Sequence, residues 1–181
     1  MVDGESVYVA HPADCLDLEV QIDFAHPLIG VQRGQWRVTP ESFSRELATA
    51  RTFGMLEWVE ELRGKGLIQG ASEENTIVLD ATSVVGTTLR WPDEFVRHKA
   101  MDVVGDLALA GMRVAARITA TKPSHRGTVT LVREMLAHAL RAAQYTVVEA
   151  ADGLKGVEYA RSHSVDLVVT DLVMPVQEGM E

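Results

Sequence analysis

Asp93-Glu94-Phe95-Val96-Arg97-His98-Lys99-Ala100-Met101-Asp102-Val103-Val104-Gly105-Asp106-Leu107 is the stretch on which both the fold and the chemistry turn. Trp91-Pro92 precedes it, Asp93 and Glu94 fall in its first turn and Gly111 follows its end. That punctuation predicts a helix from about Asp93 through Ala110. His98, Asp102 and Asp106 stand at i, i+4 and i+8 and share one stripe of the helix. Phe95, Val103 and Leu107 can occupy the face beside it. An imidazole and a carboxylate four residues apart can grip one zinc ion from a single helix; catalytic zinc takes three protein ligands and keeps a position for water. A carboxylate one turn further on suits orienting a partner rather than binding metal. The same spacing, taken alone, also describes a solvated polar stripe.

On the N-terminal side, SVYVA and LEVQIDF alternate apolar and polar residues, so residues 1–38 are expected to be β-structure; VQRGQW and RVTP follow, with Gly34 as a turn signal. Thr39 suits an N-cap, Pro40 the first helical position and Glu41 the positive end of the dipole, predicting a helix from about Glu41 to Ala50. Arg51-Thr52-Phe53-Gly54 interrupts it. MLEWVEELRGK is a second helix, ended by Gly64 and Gly66. LIQG and NTIVLD are expected as two short strands around ASEEN, making residues 64–80 a small β-containing insertion. Beyond the central helix, VAARITA (114–120) is expected as a strand, Lys122 to Gly127 as a loop carrying His125, and residues 128–143 as a helix.

The tail changes rhythm. YTVVEA and DLVVTDLVMP are compact apolar runs with LKGVEYARSHS, a helix, between them. That is a βαβ pattern, which implies parallel strands. The shift falls between Val129 and Leu140, and domains are expected at 1–136 and 137–181.

Composition narrows the function classes. A net charge of −9 disfavours nucleic-acid binding, which needs a basic face to release counterions. Cys15 is the single cysteine, so no intrachain disulfide can form and a reducing, cytoplasmic setting is expected. The first residues lack the basic and apolar regions of a signal peptide, and no apolar run reaches transmembrane length.

IDFAHPLIG, ARTFG, LRGKGLIQGAS, NTIVLD, LRWPDEFVRHKAMDVVGDLALAG and KPSH occur in that order, and over residues 15–136 the sequence resembles the UDP-3-O-acyl-N-acetylglucosamine deacetylases of lipid A biosynthesis. The resemblance implies a zinc-dependent amide hydrolase acting on a UDP-linked acylated glucosamine. By position, His98 and Asp102 match two zinc ligands, and His125 matches the histidine that stabilises the oxyanion and protonates the leaving amine. Asp106 matches the carboxylate paired with that histidine. Lys99 matches a lysine near the substrate diphosphate, Thr52 and Phe53 match residues lining the sugar and the scissile amide, and residues 64–80 match the acyl-chain passage. The third zinc ligand and the general base of that family form a Glu-His pair in a preceding domain. No histidine here follows a glutamate, so the chain alone is expected to be incomplete or inactive and to need a separate N-terminal deacetylase half. The family loop Lys-Ser-Gly-His is also replaced, by Lys122-Pro123-Ser124-His125.

Residues 132–179 resemble a response-regulator receiver domain, with Asp171 at the end of an apolar run and followed by Met174-Pro175 and Gly179. The resemblance makes Asp171 the phosphoacceptor position and implies Mg²⁺ for a complete receiver. The first receiver strand, with its acidic pair, has its place taken by KPSHRGTVT, so phosphorylation of Asp171 is not expected. The expected fold class is α+β: a two-layer sheet-and-helix deacetylase domain with its insertion, followed by a partial α/β, flavodoxin-like receiver fragment. Two alternatives to a deacetylase remain: a non-catalytic signalling or interaction module with a degenerate phosphorelay tail, and a truncated gene product without a selected role.

Overall fold

Leu18, Val20 and Ile22 alternate along one strand and all three are buried, because every second side chain of a strand falls on the same sheet face. In the computed structural model, which describes residues 1–66, 68–70, 72 and 74–170, that strand lies inside a five-stranded sheet. The strands are β1 (Val2–Asp3), β2 (Ser6–Pro12), β3 (Leu16–Phe24), β4 (Gly30–Val38) and β8 (Ala116–Thr121), in the order β1-β2-β8-β3-β4. β3 pairs antiparallel with β4, from Leu16 opposite Val38 to Phe24 opposite Gly30. On its other side it pairs parallel with β8, Leu18 opposite Ile118. β2 runs antiparallel to β8, setting Tyr8 opposite Ala120.

A second, three-stranded sheet is built from β5 (Thr52–Met55), β6 (Thr76–Leu79) and β7 (Val84–Val85). β5 and β6 are parallel, and β6 and β7 antiparallel. Helix α2 (Leu56–Gly64) connects the first two of these strands.

Helix α3 (Glu94–Leu107) closes the core. Phe95, Val96, Ala100, Val103 and Leu107 are buried in it, and they join Leu18, Val20, Ile22 and Ile118 in one cluster. Burying a side chain of this size contributes about 1.5–3 kcal/mol, so this stripe fixes the rotation of α3. A single turn of 3₁₀ helix (Ala108–Ala110) follows, and Gly111, in the left-handed conformation with φ of 67°, ends it.

Several expectations needed correction. Gly34 is not a turn: it lies inside β4, where the Trp36 ring covers it so closely that a Cβ would sit 2.0 Å from that ring. The helix expected over 41–50 is one α turn, α1 (Pro40–Ser42), continued as π-helix over Phe43–Leu47. Its start matches the expectation, with Thr39 and Ser42 forming a reciprocal capping box. LIQG is not a strand among the described residues: Gln69 and Gly70 lie in a turn, and the partners of β6 are β5 and β7. His125 is not in a loop but is the first residue of α4 (His125–Ala142).

The chain divides into two compact units, Met1–Leu136 and Ala137–Glu181. In the second, α5 (Gly153–Ser162) is capped by Asp152, whose side chain accepts from the Lys155 N–H at 2.8 Å. The two strands expected around it do not form over residues 145–150 and 165–170. Tyr145, Val148, Leu167, Val168 and Val169 are all more than half exposed. A strand needs neighbours to take up its backbone groups, and no sheet in this unit supplies them among the described residues. Asp171, Met174, Pro175 and Gly179 lie outside the described residues. No helix of the described residues is long and apolar enough to cross a membrane.

Candidate active site

Because α3 buries Phe95, Val103 and Leu107, its His98-Asp102-Asp106 stripe falls at the margin of the core. The three side chains are only 12–16 % exposed. His98 Nε2 lies 3.4 Å from Asp102 Oδ1. Two ligands at about 2.0–2.1 Å from a tetrahedral zinc are themselves about 3.4 Å apart, so this pair forms one edge of such a site. Burial pushes the His98 pKa down, against the opposing effects of the Asp102 carboxylate and the Ala50 backbone, and the net shift is below the ordinary imidazole value of 6.5. A metal ligand has to be the neutral imidazole, so the desolvation favours that role. Among the described residues His98 Nδ1 is buried without a hydrogen-bond partner, and the Ala50 backbone acts on the ring in the sense of an acceptor, raising its pKa. A carbonyl there suits an Nδ1–H tautomer that leaves Nε2 free. Among the described residues, no group of three His, Cys, Asp or Glu side chains forms a metal site.

Asp106, one turn beyond Asp102, accepts from His125 Nδ1–H, at 2.9 Å to Oδ2 and 3.0 Å to Oδ1. That leaves His125 Nε2 facing Asp102, 3.9 Å from Oδ2. The imidazole remains 66 % exposed, open to a ligand from outside. Lys99 donates to Asp102 Oδ2 at 2.8 Å. With Lys122, Phe24 and Pro123 it also lines a cavity of about 200 Å³.

Phe53, from β5, meets His98 edge-on with ring centres 5.9 Å apart, and packs the same way against Phe95 at 5.0 Å and Phe24 at 5.4 Å. Thr52 is exposed at the start of the same strand. Five of the expected residues therefore converge: His98, Lys99, Asp102, Asp106 and His125. Phe53 walls the histidine, and Thr52 is carried beside it by β5.

Sequence reasoning gave no role to the pair that ties β5 to α3. Arg51 donates to Glu94 through Nε at 2.9 Å and a terminal nitrogen at 3.1 Å, and its backbone N–H donates to the same carboxylate at 3.1 Å. Arg90 N–H adds a bond of 2.6 Å. Burial works to raise the Glu94 pKa, but the Arg51 bonds and the Arg90 amide outweigh it and the net shift is downward. Both residues stand inside the motifs ARTFG and DEFVRHK, and an acidic residue within an apolar helix start was the available signal.

The model of the UDP-3-O-acyl N-acetylglycosamine deacetylase family matches residues 1–137, and that of the response regulator receiver domain matches residues 129–181. A UDP-3-O-acyl-N-acetylglucosamine deacetylase of Anaeromyxobacter dehalogenans is 42 % identical over 136 residues, covering 75 % of this chain and 44 % of the relative. One from Nitratidesulfovibrio vulgaris is 44 % identical over 151 residues, covering 81 % and 48 %. One from Brucella ovis is 45 % identical over 135 residues, covering 74 % and 47 %. The chain thus spans about half the length of the curated relatives it matches. With the family's model matching three quarters of the chain and the polar stripe of α3 brought up to His125, this chain belongs to the UDP-3-O-acyl-N-acetylglucosamine deacetylase family.

Proposed function

We propose that this chain carries the C-terminal half of a zinc-dependent active site that removes the N-acetyl group of UDP-3-O-acyl-N-acetylglucosamine in cytoplasmic lipid A biosynthesis. One observation supports this above the others: the His98–Asp102 edge and the Asp106–His125 pair lie next to each other, joined through Asp102. His98 and Asp102 would hold the zinc, and their separation and the neutral state of His98 fit it. Zinc, when bound, supplies a water of lowered pKa and polarises the amide carbonyl. The third ligand and the carboxylate base belong, in this proposal, to a Glu-His pair of an N-terminal deacetylase half.

Asp106 holds the His125 Nδ1 proton, so a doubly protonated ring presents Nε2–H to the developing oxyanion. The same proton is then available to the leaving amine nitrogen. Lys99, bonded to Asp102 and lining the neighbouring cavity, is the cation proposed for the diphosphate; Lys122, on the same cavity, is already paired with Glu5 and Asp23. Phe53 excludes water from one side of His98. Phosphotransfer is not assigned to Asp171. The acidic pair that would hold Mg²⁺ falls, by the receiver resemblance, in Lys122–Thr130, which forms a loop and the start of α4 and contains no carboxylate.

The test is acetate release from UDP-3-O-acyl-N-acetylglucosamine with zinc present, using the chain alone and the chain supplied with the N-terminal half of a relative. Acetate release is expected only in the second mixture, and its rate should fall at least about 100-fold in His125→Ala. Release by the complemented mixture that is indifferent to both His98→Ala and His125→Ala would refute the assignment.

A further inference from the structure

His125 begins α4, so its ring goes where the backbone of residues 122–125 sends it. This segment is where the chain departs from its family's loop, with Pro123-Ser124 in place of Ser-Gly. Lys122 turns the chain out of β8 in the left-handed conformation, φ 49°, rare for a residue with a Cβ. It is held there by its N–H donating to Gln21 O at 2.7 Å and by Ser6 Oγ donating to its carbonyl at 2.7 Å. Pro123 follows, buried. Ser124 then caps α4: its Oγ accepts from Gly127 N–H at 3.0 Å and its carbonyl from Thr128 N–H at 2.9 Å. Glycine at that position would have no side chain to offer.

One buried group holds this cap. Tyr8 projects from β2 with none of its surface exposed. Its phenol oxygen accepts from Ser124 N–H at 2.9 Å, lies 3.0 Å from Ser124 O and is 3.2 Å from Thr128 Oγ1. A phenol has one proton to give and lone pairs to accept with. It therefore takes the amide of the residue before His125 and returns its proton to that residue's carbonyl or to Thr128. Thr128 Oγ1, 3.0 Å from Ser124 O, completes the ring of bonds. Both backbone polar groups of Ser124 are thus governed from one point. Gly127 makes the approach sterically feasible, since a Cβ there would sit 2.8 Å from both Tyr8 Cε2 and the phenol oxygen.

We infer that Tyr8 is a positioning residue for His125: its buried hydroxyl clamps the Ser124 backbone, with Gly127 admitting it, and so aims the His125 imidazole at Asp106. The Pro123-Ser124 replacement is compatible with a correctly placed histidine because the clamp acts on backbone atoms and the new serine supplies the cap. The functional weight of this inference rests on the role proposed for His125. The clamp itself is a structural claim and can be read without turnover, so its failure and the failure of the deacetylase assignment are separable.

The test is NMR on the full chain. In the unaltered protein the Ser124 amide should exchange with solvent as slowly as the amides of β8, and the His125 Nδ1 proton, bonded to Asp106, should give a downfield signal. Tyr8→Phe keeps the ring and removes the clamp. It should speed Ser124 exchange at least about tenfold and shift or erase the His125 Nδ1 signal, while amides of α3 keep their positions. Gly127→Ala should disturb the same His125 signal from the opposite side of the contact. A purely structural role for Tyr8 would lower overall stability and leave the His125 signal where it was. Rapid Ser124 exchange in the unaltered protein would overturn the inference even if Tyr8→Phe did not fold. So would a folded Tyr8→Phe with an unchanged His125 Nδ1 signal.

Discussion

LEVQIDF in the first unit and DLVVT in the second are both short apolar-rich runs, yet only the first is a strand. Val20 and Ile22 are buried between β4 and β8, whereas Leu167, Val168 and Val169 are 66 %, 66 % and 72 % exposed. What differs is the company. β3 has a backbone partner on each side and α3 above it, and a strand is stable only when both needs are met. Local pattern nominates a strand, and tertiary neighbours decide it.

The sharpest way to break this contrast is to remove the buried tie of the first unit. Arg51→Ala would remove the guanidinium that balances Glu94 and leave that carboxylate in the core with backbone N–H partners alone, and breaking such a pair costs about 3–5 kcal/mol. Chemical denaturation followed by the fluorescence of Trp36, Trp58 and Trp91 should register the loss; a change below about 1 kcal/mol would show that the pair behaves as a surface one. Next in size is Ile118→Ala, at the centre of β8 and fully buried, with an expected cost of about 2–5 kcal/mol. Its counterpart Val168→Ala, at an exposed site, should stay within about 0.5 kcal/mol. A large loss there would mean that the second unit has a core which its exposed valines conceal.

A smaller effect is expected from pH. The His98 pKa is lowered in the folded state, chiefly by burial, while the unfolded chain keeps the ordinary value near 6.5. As pH falls through about 6.5 the unfolded chain takes up a proton that the folded one resists. This contribution to stability is therefore complete above that value and declines below it, until the folded imidazole also protonates. Comparing denaturation midpoints above and below about pH 6.5 for the native chain and His98→Asn should show a shallower decline in the variant. Equal slopes would remove His98 from the pH response.

The contrast also explains what could be anticipated from sequence. The stripe of α3 was legible because helical periodicity fixes both of its faces at once: buried Phe95, Val103 and Leu107 imply the placement of His98, Asp102 and Asp106. The cap at Thr39-Pro40 was legible for a similarly local reason. Gly34 was misleading because glycine marks close approach as well as turns, and here the Trp36 ring, two residues along the same face of β4, lies over it. LIQG failed because β6 found a parallel partner more than twenty residues earlier in the chain, at Thr52–Met55. The start of α4 was placed too late although its cap is local, Ser124 Oγ accepting from Gly127 N–H; what lies far off in the sequence is the Tyr8 hydroxyl on the Ser124 backbone. Of these misses, LIQG and the start of α4 involve partners far away in the chain, whereas the Gly34 contact comes from only two residues along the same strand.

The most direct measurement is zinc binding by calorimetry to the native chain, His98→Ala and Asp106→Asn. In the proposed site His98 and Asp102 would hold the metal and Asp106 would hold His125 instead. With two of three protein ligands present, zinc should bind the native chain weakly, fail to bind His98→Ala, and bind Asp106→Asn as it does the native chain. Undiminished binding by His98→Ala, or a loss in Asp106→Asn as large as in His98→Ala, would contradict that division of roles.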